Sequence, residues 1–334
     1  MKIFITGVAG FLGSHLADRM LKLGHQVKGI DNLTGGDKVN IPNGVEFFHD
    51  DCDNLQTMMK ITKNCDVIFH AACMAHDGLS IVSPYFVTKN TSQITYSVIS
   101  AAVQNNIKRF IYCSSMARYG RQDIIPYTED MTCNPTTPYG VAKYSSELVI
   151  KQLCELNNIE YVILVPHNII GTRQKYDDPF RNVASIMINR MLQGKQPIIY
   201  GDGEQKRSFS FIDDTVYCLE ESLTRKSVIG ETINIGPDEE FITINHLSKV
   251  IAKIINFDLK PIYVPDRPNE VKLAYCSSNK ARKLLDYKTK TNLEEGLIMM
   301  VDYIKKQGTK EFKYNIDLEI INKHTPKTWT EKMI

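Results

Sequence analysis

A phenol and an ammonium stand four residues apart in Thr137-Pro138-Tyr139-Gly140-Val141-Ala142-Lys143. Four residues is about one helical turn, so in a helix both side chains share a face. Thr137 is a permitted N-cap and Pro138 a favoured first helical residue, and the apolar Val141, Leu148, Val149 and Leu153 are expected to continue the helix inward. A fixed lysine charge favours the phenolate of a tyrosine, whose reference pKa is about 10. Bringing that value to about 7 takes roughly 4 kcal/mol at about 1.36 kcal/mol per unit, more than a lysine alone ordinarily supplies, so a cationic cofactor would have to complete it. The alternative at this point is an ordinary solvated pair, because the bare spacing is common on helices.

The elements that must position such a pair begin at the N-terminus. Lys2 to Thr6 is a short β-branched run, followed by Gly7-Val8-Ala9-Gly10-Phe11-Leu12-Gly13 and a helical pattern through Leu16, Met20 and Leu23. Gln26 to Ile30 is the next apolar run, and it ends in Asp31, eighteen residues beyond Gly13. Strand, glycine turn, helix, strand and acid in that order meet the contextual test for a dinucleotide site, although the spacing is G-x-x-G-x-x-G. Its glycines serve a tight turn, close backbone approach to a pyrophosphate, and close packing of helix on strand. Asp31 would accept from ribose hydroxyls and repel a 2′-phosphate, which favours NAD over NADP.

The alternation continues with strands at Val45 to Phe48, Asp66 to His70 and Arg109 to Cys113, and helices at Leu55 to Thr62 and Tyr85 to Val103. Nearly all-apolar strands suit a parallel sheet covered on both faces. Residues just beyond such strands face the ligand crevice, which puts Asp51, Ala71-Ala72 and Ser114-Ser115 on one rim. After the strand Tyr161 to Val165 the regularity lapses, with a helix at Phe180 to Leu192, a strand at Ile198 to Tyr200 and a proline-rich loop from Pro261 to Pro268. The expected division is residues 1–170 as an NAD-binding domain, 171–310 as a smaller lobe interleaved with it, and 311–334 as a solvated polar extension.

A chain of 334 residues buries a sizeable core. Its 40 Lys+Arg against 38 Asp+Glu leave a formal charge of +2, so no global field calls for nucleic acid or an anionic membrane, and no apolar run is long enough for a membrane span. Eight scattered cysteines, with no Cys-x-x-Cys and no Cys/His cluster at zinc spacing, suggest a reducing cytoplasm and no metal site.

Taken together, Gly7/Gly10/Gly13, Asp31, Ser114-Ser115 before Tyr119-Gly120, and Tyr139-x-x-x-Lys143 resemble the extended short-chain dehydrogenase/reductases that modify nucleotide sugars. Gly201 to Asp214 and Asp266 to Val271 look like that family's two arginine-bearing stretches, and the resemblance runs from Met1 to about Leu297. It implies a Rossmann-type doubly wound parallel sheet with a smaller mixed α/β substrate-binding lobe. It also implies Tyr139 as the catalytic tyrosine, Lys143 as the residue that lowers its pKa and holds the nicotinamide ribose, and Ser115 as hydrogen-bond partner of the reacting hydroxyl. Ser114 is a nearby rival for that last role. Phe11, Leu12, Asp31, Asn32, Asp51 and Cys52 match NAD-lining positions, as do Ala71, Ala72 and Asn90. His167 lies near the nicotinamide position, against the commoner reading of a satisfied core histidine. Asn168, Asn182, Val183, Arg207 and Arg267 match substrate positions, and planar arginine forks suit a diphosphate. Asp213 and Asp214, which precede a helical run, are expected as N-caps rather than paired catalytic acids.

Dehydratases of the family follow the serine with acids that move protons between carbons. Here those positions are Met116 and Ala117, which cannot do so, and Arg118 stands where the family usually has an apolar residue, free to meet a carboxylate, a phosphate or solvent. The expected activity is therefore a nucleotide-sugar 4-epimerase acting on a UDP-hexose or UDP-N-acetylhexosamine, with oxidation at C4 to a 4-keto sugar and re-reduction on the opposite face. Ala274 at the position where a bulky residue excludes N-acetyl groups hints at room for them, whereas a one-place shift to Tyr275 reverses the hint. A 4-keto-sugar reductase of the same fold and a non-catalytic NAD-sensing protein are the alternatives. By analogy with the family, the protein is expected to form a homodimer through the helices near Tyr85 to Val103 and Pro138 to Leu156.

Overall fold

The computed structural model describes every residue from Met1 to Ile334. In chain order the first half is β1 (Lys2–Thr6), α1 (Phe11–Lys22), β2 (Gln26–Ile30), β3 (Glu46–Phe48), α2 (Leu55–Ile61), β4 (Val67–His70), α3 (Pro84–Thr88), α4 (Ile94–Gln104), β5 (Arg109–Cys113), α5 (Pro138–Leu156) and β6 (Glu160–Pro166). One turn of π-helix, Lys89–Gln93, joins α3 to α4. The seven-stranded central sheet runs Thr232–Ile235, β6, β5, β4, β1, β2, β3, and all its pairings are parallel.

Alternation explains why these strands are apolar throughout. Ile3 and Ile5 of β1 enter the core beneath α1, whereas Phe4 enters the one beneath α2, α4 and α5. β5 repeats the division, with Ile111 on the first side and Phe110 and Tyr112 on the second. The strand order reverses between β4 and β1, and at that switch point a parallel sheet opens its ligand crevice.

The second lobe is not a separate piece of chain. Thr232–Ile235 returns to edge the central sheet beside β6, and the helix Ile212–Glu221 packs on α1, where Arg19 pairs with Glu220. The lobe proper carries the helix Val183–Leu192, a parallel pair of Ile198–Tyr200 with Ile262–Val264, and a small sheet in which Lys206–Arg207 lies between Ile242–Thr243 and Leu273–Ala274. The expected 261–268 loop thus contains a strand. The helix expected from Phe180 begins at Val183, because the Asn182 side chain accepts from the Ala184 N–H and caps it. Asp213 and Asp214 lie within the first turn of Ile212–Glu221 and are not its caps, and Asp214 instead accepts from the Lys290 and Thr291 N–H groups at 3.0 and 3.2 Å.

Two larger departures follow from partners that are distant in sequence. In α5 the apolar Val141 and Leu148 are exposed, while Lys143, Ser146 and Glu147 are buried. Polar partners beneath the helix outweigh its apolar pattern. The segment after Gln307 is not a free extension either. Its sparse apolar residues Tyr314, Ile316, Leu318, Trp329 and Ile334 dock against Leu79, Val82 and Phe180. The Glu319 carboxylate accepts from the Tyr85 and Phe86 N–H groups at the start of α3, at 2.9 and 2.7 Å, and Lys313 N–H donates to the Asp177 carbonyl. The segment is a strap across both lobes.

Candidate active site

One cavity of ≈ 560 Å³ lies over the carboxyl ends of the strands and extends into the second lobe. At its β1 end the chain turns through Gly7, at φ +71, and α1 starts directly after Gly10. A Cβ on Gly13 would come within 2.1 Å of the Gly7 carbonyl oxygen, and one on Gly7 within 3.0 Å of the Ala72 backbone. Only hydrogens fit there, so the helix N-terminus is open to a pyrophosphate. Asp31 accepts from the Ala9 N–H at 3.0 Å and the Leu33 N–H at 2.8 Å. Burial pushes its carboxyl up and these N–H groups pull it back. Asn32 donates to Asp51 at 2.8 Å, closing the same end. Phe11, Leu12, Cys52, Ala71, Ala72 and Asn90 also line the cavity, and Asn90 sits in the π turn with its side chain donating to the Phe86 carbonyl. The glycine cradle, the free helix end and the acid at β2 fit a dinucleotide.

At the β5 end α5 delivers Tyr139 and Lys143. Thr137 caps the helix by accepting from the Gly140 N–H at 3.1 Å and itself donates to Asp77 at 2.5 Å. Lys143 Nζ donates to the Cys113 carbonyl at 2.7 Å, 4.8 Å from the Tyr112 ring centroid and 6.0 Å from that of Tyr139. Burial opposes the Lys143 charge, and the Cys113 carbonyl and the face of the Tyr112 ring receive the ammonium. Burial pushes the Tyr139 phenol up, with Cys73 acting in the same sense, whereas Lys143 and the Ser115 hydroxyl pull it down. The protein alone holds a neutral phenol beside a cation. A second positive charge in the cavity is what the pair lacks for a phenolate.

The structure separates the two serines. Both line the cavity, but Ser115 accepts from the Ala117 N–H at 3.2 Å, whereas the Ser114 hydroxyl donates to the Glu147 carboxylate beneath α5. Glu147 is fully buried and pairs with Arg118 at 2.9 Å, an approach too bent for a hydrogen bond. Arg118 therefore meets a carboxylate and neither phosphate nor solvent. Burial pushes the Glu147 carboxyl up, and Arg118, then Ser114, pulls it back.

In the second lobe Arg207 and Arg267 converge on one carboxylate. Arg207 Nη2 donates to Glu270 Oε1 at 2.7 Å, and Arg267 donates through Nε and Nη2 to Oε2 at 3.0 and 2.7 Å. Burial pushes Glu270 up, but Arg267 and then Arg207 hold it below the ordinary carboxylate range. Two cations meet Glu270 here, with Asp77 a further carboxylate acting on both, and the guanidinium planes are already oriented. Glu270 is a site residue that motif reading passed over, although its Arg267-x-x-Glu270 spacing is visible.

The remaining positions also line the cavity. Asn168, at φ +40, donates to the Ser208 carbonyl at 2.9 Å, and Asn182 and Val183 open the adjacent helix. His167 is buried at the end of β6, bonded to the Pro237 carbonyl at 3.1 Å and pushed down to about 4 by burial, so it is a neutral wall residue. Ala274 pairs in register with Arg207 and lines the cavity, whereas Tyr275 does not and packs on Phe241 with ring centroids 4.4 Å apart. The small residue is the one that borders the site.

The family model described as the NAD dependent epimerase/dehydratase family matches residues 3–236. The chain is 30% identical to the UDP-glucose 4-epimerase of Thermotoga maritima solved with UDP-glucose, covering 92% of this chain and 99% of that one at a TM-score of 0.88. It is 30% identical to the UDP-glucuronic acid 4-epimerase of Bacillus cereus solved with UDP-glucuronic acid and NAD, over 92% and 100% of the two chains at a TM-score of 0.86. It is 29% identical to the UDP-N-acetylglucosamine 4-epimerase of Methanobrevibacter ruminantium solved with UDP-N-acetylmuramic acid, over 92% and 99% at a TM-score of 0.86.

Proposed function

The chain belongs to the NAD-dependent epimerase/dehydratase family, and from that premise we propose that it is a UDP-sugar 4-epimerase whose pocket accepts N-acetylhexosamines. When bound, NAD supplies the acceptor, and then the donor, of the C4 hydride. Gly7, Gly10 and Gly13 cradle it and Asp31 takes its ribose hydroxyls. Tyr139 removes the proton of the C4 hydroxyl and later returns it, with Lys143 stabilising the phenolate and Ser115 holding the hydroxyl in line. Arg207 and Arg267 grip the diphosphate, while the sugar end stays free to present its other face. The observation that carries this reading is the lone tyrosine acid/base beside Met116 and Ala117, which offer no second proton carrier for elimination. In this reading residues 1–170 serve NAD and 171–310 serve the nucleotide sugar.

The sugar preference rests on Ala274 bordering the cavity beside Arg207. Purified protein is expected to interconvert UDP-glucose with UDP-galactose, and UDP-N-acetylglucosamine with its C4 epimer, without net change in NADH absorbance. Ala274→Tyr should lower the rate on the N-acetyl substrate by about tenfold or more and spare UDP-glucose, the loss that a clash in a well-packed pocket brings. Stoichiometric consumption of NADH would favour the reductase reading, and inactivity on UDP-glucose, UDP-N-acetylglucosamine and UDP-glucuronate alike would defeat the UDP reading.

The same proposal includes a homodimer in the cytoplasm. The exposed Tyr96 of α4 and Val141 and Leu148 of α5 form an apolar face, linked by Tyr96 hydroxyl to Ser145 hydroxyl at 3.3 Å. A helix that buries lysine and glutamate while exposing valine and leucine is suited to a partner surface. Light scattering should give a dimer mass for the protein and a monomer mass for Leu148→Glu. All eight cysteines are unpaired, which agrees with a reducing compartment, and no helix is long and apolar enough to cross a membrane.

A further inference from the structure

The C-terminal strap brings the chain's single tryptophan to the cavity wall. Trp329 is 4% exposed and meets Phe180 edge to face, with ring centroids 5.4 Å apart. It lines the same cavity as Arg207 and Arg267. A Cβ built on Gly78 would lie 3.3 Å from Arg267 Nη1 and 3.7 Å from the Trp329 ring, so guanidinium and indole flank one point of the wall. Arg267 in turn lies over the Tyr200 ring at 5.0 Å, and the Tyr200 hydroxyl is joined to Thr328 of the strap at 2.6 Å. The Trp329 indole N–H lies beside that hydroxyl. Trp329, Tyr200 and Arg267 all line the cavity, so the strap adds an aromatic face to the wall beside the arginines. The strap is held to this place by Arg190, which donates to the Met333 carbonyl at 3.0 Å, and closed on itself by Tyr314, whose hydroxyl donates to the Ile334 carbonyl at 3.2 Å.

We infer that Trp329 is a wall of the nucleoside subsite, so that the strap takes part in substrate recognition. The inference rests on the UDP-sugar reading above. In a nucleotide sugar the diphosphate separates the reacting hexose from the nucleoside. With the hexose at Tyr139 and Ser115 and the diphosphate on Arg207 and Arg267, the nucleoside lies beyond the arginines, where Trp329 and Tyr200 offer aromatic surface. Stacking or edge packing on an indole favours a planar pyrimidine and discriminates against a ligand that ends at the diphosphate. Trp329 acts on binding and takes no part in proton transfer.

Because Trp329 is the single tryptophan, the unmodified protein reports on this contact. With NAD saturating throughout, UDP should change the tryptophan emission saturably, with a midpoint equal to the dissociation constant measured by calorimetry, and inorganic pyrophosphate should change it far less. Trp329→Ala should weaken UDP about tenfold or more with NAD content and kcat at saturating substrate retained, and Trp329→Phe should recover most of the affinity. Calorimetric binding of UDP with unmoved emission, or unchanged affinity in Trp329→Ala, would overturn this inference and leave the epimerase reading intact. Absence of any heat with UDP would overturn both.

Discussion

Tyr139→Phe is expected to lower kcat by about 10²–10⁴-fold while leaving the NAD content of the purified protein unchanged. The ring is held by packing that phenylalanine keeps, since Tyr139 forms a buried cluster with Met74 and Val87. Only the hydroxyl is lost, and Met116 and Ala117 beyond Ser115 offer no acid to replace it. The pH dependence adds a second test. Burial raises the phenol in the protein by itself, and Lys143 and Ser115 oppose that rise. The active form is the phenolate, so kcat/KM should climb with pH through the tyrosine's value in the NAD-loaded enzyme. Lys143→Met removes a charge that favours the phenolate, and the sign is then fixed: the acid limb moves to higher pH, and part of the lost rate returns on raising pH. Near-normal turnover by Tyr139→Phe would remove the tyrosine from the mechanism. A Lys143→Met profile that drops without shifting would limit the lysine to holding the cofactor.

What was legible in the chain beforehand was whatever is local or strictly periodic. The glycine turn, Asp31 and the Tyr139-Lys143 pair each lie on one element and its flank, so short spacing suffices to see them. β5, read as Arg109 to Cys113, has those bounds in the structure because the apolar run Phe110 to Cys113 is set between polar flanks. The outward face of α5 was not legible. An apolar stripe normally marks the core, and here the buried face is occupied by Lys143, Ser146 and Glu147, whose partners come from β5 and its following turn. The role of Glu270 depends on two arginines sixty residues apart in the chain meeting on one carboxylate, and the strap depends on a few aromatic residues spread through a polar tail. Each of these is a nonlocal pairing, to which periodicity is blind.

Arg118→Met is expected to destabilise the protein by about 3–5 kcal/mol at neutral pH, the cost of leaving a buried charge without its partner. The charge is that of Glu147, fully buried under α5, eight residues beyond Tyr139 and one turn beyond Lys143. Arg118 is its cation at 2.9 Å, while Ser114 supplies a hydrogen bond from the end of β5. The guanidinium is braced in turn by the Tyr119 hydroxyl at 3.2 Å, which donates onward to Asn234 at 2.7 Å, and by the faces of Tyr119 and Tyr144. Methionine fills much of the volume without the charge. Burial already pushes the Glu147 carboxyl up, with Arg118 as the main group pulling it back, so the substitution raises it further. A carboxyl raised on folding loses stability as pH climbs from its unfolded toward its folded value, so the penalty should be small at acidic pH and grow toward neutrality. Glu147→Gln in the same chain removes the orphaned charge. The double variant should therefore regain most of the stability lost by Arg118→Met alone, as happens when a buried ion pair is replaced rather than broken. Chemical denaturation of the four proteins at acidic and neutral pH measures this cycle. A coupling near zero at neutral pH would mean that water or local rearrangement compensates Glu147. A large coupling makes the pair the support that lets α5 carry polar residues inward and hold Tyr139 and Lys143 against the sheet.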